Sequence, residues 1–148
     1  MNIIEQIDNH RYLFLVEIGE PEENSLRLVI EEGRLGAQIT QTDLEEANDE
    51  VEETINSIMM GGFPVVTDEN CFAYEITFDT YIAYSVRNES FCEWNEAEKF
   101  SGKLFRIYSK SSFLDYIKSA TFASEDFTGK FNHYGIIAAH HNIDIASL

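Results

Sequence analysis

The chain has 148 residues, 44% of them hydrophobic and 13% aromatic, and a formal net charge of −17. That length and apolar content support one domain with a core and exclude a disordered acidic tail. The charge argues against direct nucleic-acid binding, which needs a basic face, and against an anionic membrane surface. It suits a basic protein partner, divalent cations or solubility alone. It is also uneven: residues 1–70 carry 17 acids and 3 bases, residues 71–148 carry 10 and 7.

The start, MNIIEQIDNH, has neither the basic segment nor the apolar run of an export signal. This reading places the protein in the cytoplasm, with Cys71 and Cys92 as reduced thiols. No stretch approaches the ~18 apolar residues of a membrane span. Ile3, Ile4 and Ile7 have helical spacing, so residues 1–10 read as a short helix or a loose arm. Arg11 to Ile18 (RYLFLVEI) reads as a buried strand, Gly19 to Asn24 as a turn, and Leu26, Leu28 and Ile30 as the inward face of a second strand closing a hairpin. Gly33 and Gly36 interrupt the pattern, and Leu35 to Ile39 reads as a short edge strand.

Over residues 43–60 the period changes. Leu44, Ala47, Val51, Ile55, Ile58 and Met59 form one helical face, Thr42 and Glu45 match a capping box, and Gly61-Gly62 supplies the stop. The opposite face is acidic, through Glu46, Asp49, Glu50 and Glu53, so this helix needs its apolar stripe packed on a sheet. Phe63 to Val66 reads as a loop or a short strand edge, and Thr67 to Asn70 as a turn.

From Cys71 to Ser90 the chain alternates: Phe72, Tyr74, Ile76, Phe78, then Ile82, Tyr84 and Val86 on one side. A single strand of that length would run to roughly 60 Å, too long for a small domain. The expectation is a hairpin turning near Asp79-Thr80, with a bent, bulged strand as the alternative. In the hairpin, Glu75 and Arg87 pair across the strands. Phe91, Trp94, Ala97 and Phe100 fit a helix or a loop equally. Lys103 to Tyr108 reads as a strand, and Phe113, Leu114, Tyr116 and Ile117 as a short helix capped by Ser111 or Ser112. Phe131 to Ala138 reads as a late strand, His140-His141-Asn142 as a turn, and Ile143-Asp144-Ile145 as the last strand. Together these give one α+β domain over residues 1–148: an antiparallel sheet of about five to seven strands, covered by the acidic amphipathic helix, with a shorter second helix.

No catalytic motif is assembled. His133, His140, His141 and Asp144 match no zinc spacing, and adjacent histidines on a strand point apart; they read as turn and surface residues, with His133 partly buried, and no metal or cofactor is expected. Neither cysteine carries a thiol-enzyme signature, and Cys71 reads as a small packing residue. Trp94, Phe91 and Tyr81 read as an exposed hot spot beside acids, or else as a loop buried over the sheet edge.

The runs Tyr81 to Ser90 (YIAYSVRNES), Gly102 to Tyr108 (GKLFRIY) and Ser112 to Tyr116 (SFLDY), with His133-Tyr134, resemble a family of small uncharacterised bacterial cytoplasmic proteins, some inferred to be immunity proteins for secreted toxins. The resemblance spans roughly residues 70–147 and brings no catalytic residue. It points to Tyr84, Arg87, Asn88, Glu89, Tyr116 and His133 as binding or structural positions, to which exposure adds Trp94. The leading expectation is a non-catalytic protein-binding protein, of immunity type against a basic toxin. The alternative is a small enzyme or ligand-binding protein with a pocket near Glu75, Tyr84, Arg87 and His133, and the weaker one is a nucleic-acid mimic. The sequence leaves the oligomeric state open.

Overall fold

The computed structural model describes residues 1–36 and 64–148. The expected acidic helix over 43–60 lies outside the described residues, as does all of the expected 35–39 strand beyond Gly36. The described chain forms an α+β domain with two helices and two antiparallel sheets, of four and five strands.

The N-terminal segment is a helix, α1 (Ile3–Asn9), held by a capping box: Asn2 Oδ1 accepts from the Glu5 amide (2.8 Å) and Glu5 Oε2 accepts from the Asn2 amide (3.0 Å). Ile7 enters the core. Asp8 then accepts the backbone amides of Lys103, Leu104 and Phe105 at 2.8–3.0 Å, which ties α1 to the second sheet. The chain makes that tight approach at Gly102, with φ +90, where a Cβ would lie 2.0 Å from the Phe105 carbonyl oxygen.

The first sheet contains β1 (Tyr12–Gly19), β2 (Leu26–Leu35), β3 (Val65–Val66) and β4 (Ala73–Phe78). β1 and β2 form the expected hairpin. A bulge at Val16 breaks the alternation of β1, so Leu13 and Leu15 face the core and Ile18 rejoins them after Val16 turns outward. β2 runs through Gly33 rather than stopping there, because the Phe14 ring and Val65 occupy the space a side chain would need. β4 lies against β2, with Ile30 opposite Tyr74 and Leu26 opposite Phe78.

The second sheet has the order β5-β9-β8-β7-β6, where β5 is Tyr81–Asn88, β6 Lys99–Ser101, β7 Phe105–Lys110, β8 Asn132–Ala138 and β9 His141–Ser147. The hairpin expected at Asp79-Thr80 is therefore replaced by a crossing: β4 pairs with β2 and β5 with β9, on different sheets. The bent, bulged alternative is the nearer one, since the register of β5 shifts between Tyr81 and Ala83. No described residue at the crossing has the positive φ that a two-residue hairpin turn requires. Instead, Thr80 O accepts from Ser147 Oγ (2.7 Å) and Leu148 N (3.1 Å), and Tyr81 N donates to Asn24 O (3.1 Å). The expected turn at His140-His141-Asn142 is shifted: Ala139 and His140 turn, with His140 at φ +70, and His141 and Asn142 already belong to β9.

One face of each sheet feeds a shared core, in which Leu13, Leu28, Ile30 and Phe78 cluster with Phe105, Ile136, Ile143 and Ile145. Burying each such aliphatic side chain is worth about 1.5–3 kcal/mol. The sheets join at one corner, where the Ala139 amide donates to Leu13 O (2.7 Å). The other face of the second sheet carries the helix α2 (Ser112–Ala120), whose Ile117 packs with Ala123, Ala146, Ile82, Ala83 and Phe113. β9 is thus buried on both sides: Ile143 and Ile145 toward the first sheet, Asp144 and Ala146 toward α2.

Candidate functional site

The α2 side of the second sheet carries an open cleft of about 860 Å³, bounded by the outer face of β5, the loop 89–98 and the start of α2. Antiparallel pairing puts Gly135, Asp144 and Ser85 abreast on that face. Asp144 is the one carboxylate of β9, set between Ile143 and Ile145, and its position opposite Ser85 delivers it to the cleft wall. There it accepts from Arg87 Nε (3.2 Å) and Nη2 (3.0 Å) through Oδ2, while Oδ1 lies 2.8 Å from His133 Nε2.

His133 sits beneath the cleft, only 1% exposed. Tyr108 stacks on it with ring centroids 4.1 Å apart, in the space left over Gly135, where a Cβ would lie 2.7 Å from the Tyr108 ring. Its Nδ1 lies 2.7 Å from Ser111 Oγ, and that oxygen also caps α2 by accepting from the Leu114 amide (3.0 Å). These partners assign the neutral ring as the Nε2–H form, donating to Asp144 and accepting the Ser111 hydroxyl.

Serine, histidine and aspartate in one chain of contacts have the composition of a hydrolase triad, but burial and polarity exclude that role. Ser111 is 2% exposed and already committed as a cap, and it contacts Nδ1 while the aspartate contacts Nε2, the reverse of the serine-protease order. The chain Arg87–Asp144–His133–Ser111 instead braces the N-terminus of α2 onto the sheet.

The opposite wall is the loop 89–98, held by its own hydrogen bonds. Asn88 Oδ1 accepts from the Ser90 amide (2.9 Å) over a 3-10 turn at Glu89–Phe91. Glu89 exchanges backbone contacts with the β8–β9 turn, accepting the His140 amide on Oε2 (2.7 Å). Asn95 Nδ2 donates to Ser112 Oγ (3.3 Å), and Glu98 Oε2 accepts from the Ser112 amide (3.0 Å) at the first turn of α2. From this frame Phe91 and Trp94 project 84% and 72% exposed, facing Tyr116 of α2 at 59%. Trp94 rests edge-on against Phe100 at 6.2 Å.

Of the residues singled out from the sequence, Tyr84, Arg87, Trp94 and Tyr116 line this cleft. Asn88 and Glu89 organise its loop, and His133 supports its floor without reaching it. The expected Glu75–Arg87 pair does not form. Glu75 lies on β4 in the first sheet and accepts from Arg27 Nη2 (2.7 Å), because β4 is registered on β2 rather than on β5. A pocket built from Glu75, Tyr84, Arg87 and His133 is therefore not assembled. Tyr81 leaves the exposed set too: it packs against the core and its hydroxyl donates to Glu20, which pushes its pKa up to about 12. Sequence reading missed Ser111 and Asp144 as partners of His133. The signal for Asp144 was present, a single acid between Ile143 and Ile145, while Ser111 showed only its capping role.

Among the described residues no three His, Cys, Asp or Glu side chains converge as a metal site, and no helix is long and apolar enough to cross a membrane. Cys71 and Cys92 are free thiols. No family model, curated protein or solved structure matches the chain.

Proposed function

We propose that this chain is a protein-binding module that receives a basic segment of a partner in the cleft between β5, the loop 89–98 and α2, and that the partner is a basic toxin which it neutralises. One observation carries the binding reading: three exposed aromatics, Phe91, Trp94 and Tyr116, share a cleft with Glu93, Glu96 and Glu98. The cleft's one basic residue, Arg87, is already paired with Asp144. Aromatic faces beside carboxylates suit a lysine or arginine side chain, which gains both cation–π and ionic contacts. The loop's internal hydrogen bonds lower the ordering cost of binding, and the net charge of −17 steers a basic partner toward it. The toxin assignment rests on the resemblance of residues 70–147 to immunity-type proteins.

Trp94 is the chain's single tryptophan, so its emission reads this cleft directly. Titration with short lysine- and arginine-bearing peptides is expected to shift that emission saturably, with affinity falling as salt rises, and acidic peptides are expected to leave it unchanged. Calorimetry on Glu93→Gln and Glu96→Gln is expected to show weaker binding in a folded protein. Equal response to basic and acidic peptides, or no saturable response at low salt, refutes the reading.

A further inference from the structure

We infer that the opposite flank of α2 is a second binding site, specific for a small anion bearing two or more negative charges. All five lysines of the chain lie between residues 99 and 130. Three of them, brought from separate elements, line one cleft of about 830 Å³: Lys99 from β6, Lys118 from the last turn of α2, and Lys130 from the loop entering β8.

None of the three has a carboxylate within 4.0 Å among the described residues, whereas Arg27, Arg34 and Arg87 are each ion-paired. Lys103 and Lys110 lack such a carboxylate too, so what sets these three apart is that they share one cleft, where their mutual repulsion is relieved by a bound counter-charge. Glu125 is the single acid lining that cleft. Tyr108 and Phe131 add apolar wall for the body of a ligand. Lysine serves as a point-charge binder of phosphate and carboxylate groups.

The volume falls in the range of small-molecule pockets. Size is also set by the surrounding charge. At physiological salt the screening length is about 8 Å, so a small anion inside the cleft is governed by the three lysines. A polymeric anion would extend onto a surface of strongly negative net charge. A phosphorylated or polycarboxylate small molecule is the class that fits.

Inorganic pyrophosphate, titrated into the full chain and followed by amide chemical shifts and calorimetry, tests this. The expected result is saturable binding with shifts confined to residues around Lys99, Lys118 and Lys130. Lys118→Gln and Lys130→Gln, both at exposed positions, are each expected to weaken it about tenfold, the scale of one charge-assisted contact. Arg11→Gln, just before β1, is expected to leave the affinity unchanged. Absence of saturation, shifts elsewhere, or lysine variants that bind as well as the parent overturn the assignment. Because basic peptides read the other cleft through Trp94, failure here leaves the protein-binding proposal standing, and the reverse holds as well.

Discussion

Asp144 is the most informative residue to perturb, because it serves a buried and an exposed partner at once. Asp144→Ala strips the acceptor from His133 Nε2, 2.8 Å away on a ring that is almost wholly buried. A buried donor left unsatisfied costs about 1–3 kcal/mol. The Arg87 arm contributes less: its side chain is 52% exposed, its guanidinium rehydrates when released, and exposed pairs are worth about 0–1 kcal/mol. The expected total is about 2–3 kcal/mol. Asp144→Asn keeps an oxygen for the His133 N–H and loses mainly the charge, so about 1 kcal/mol is expected, and Arg87→Gln should cost less than about 1 kcal/mol. Urea unfolding followed by far-ultraviolet circular dichroism measures all three, with an unchanged slope confirming that stability alone has moved. The reasoning fails if Asp144→Asn costs as much as Asp144→Ala, or if Arg87→Gln matches either.

Three further outcomes follow from the same contacts. Glu32, on β2, is held down to about 2 from the ordinary 4.5, first by the Arg34 guanidinium and also by the Phe72 amide. Its folded value lies below the unfolded one, so its contribution is complete above the unfolded value and is lost as pH falls toward 2. Stability measured from about pH 5 to pH 2 should therefore decline more steeply in the parent than in Glu32→Gln. Ser111→Ala removes the cap of α2 and the partner of His133 Nδ1 together, and thermal unfolding should show a loss of about 2 kcal/mol. Gly135→Ala places a methyl 2.7 Å from the Tyr108 ring; displacing that ring should cost about 1–3 kcal/mol in urea titration and shift the His133 ring signals in NMR.

Strands were legible in the sequence wherever one face is apolar. Leu26, Leu28 and Ile30 announce β2, Tyr74, Ile76 and Phe78 announce β4, and Ile143 with Ile145 announces β9. Alternation tells which side of a strand is buried and is silent about which strand lies beside it. That is why the run 71–90 looks like one hairpin although its halves belong to two sheets, and why parity alone pairs Glu75 with Arg87 and not with Arg27. β6 escaped because Lys99-Phe100-Ser101 is too short to show a period. The Ser111 cap was readable from local grammar; its bond to His133, 22 residues away, was set by the β7–β8 register and by where α2 begins. Exposure of Trp94 was undecidable from spacing, since it depends on Asn95 and Glu98 anchoring the loop to Ser112.

The two walls of the cleft divide stability from recognition. On the sheet wall, the Asp144 carboxylate is ion-paired with Arg87 and accepts the His133 N–H, so its removal is felt in folding. On the loop wall, Glu93 and Glu96 have no described partner among the bases and are exposed, so neutralising them should change recognition while folding stability stays within about 0.5 kcal/mol, as for surface substitutions generally. Glu98 belongs to both walls, since the carboxylate that adds charge to the cleft also accepts the Ser112 amide at the start of α2. Glu98→Ala, which removes charge and acceptor at once, should therefore weaken basic-peptide binding and loosen the loop together. Glu98→Gln, which keeps an oxygen for that amide, separates the two: if charge is what the cleft contributes, binding falls while the loop's amide shifts hold still, and if positioning is what matters, binding survives.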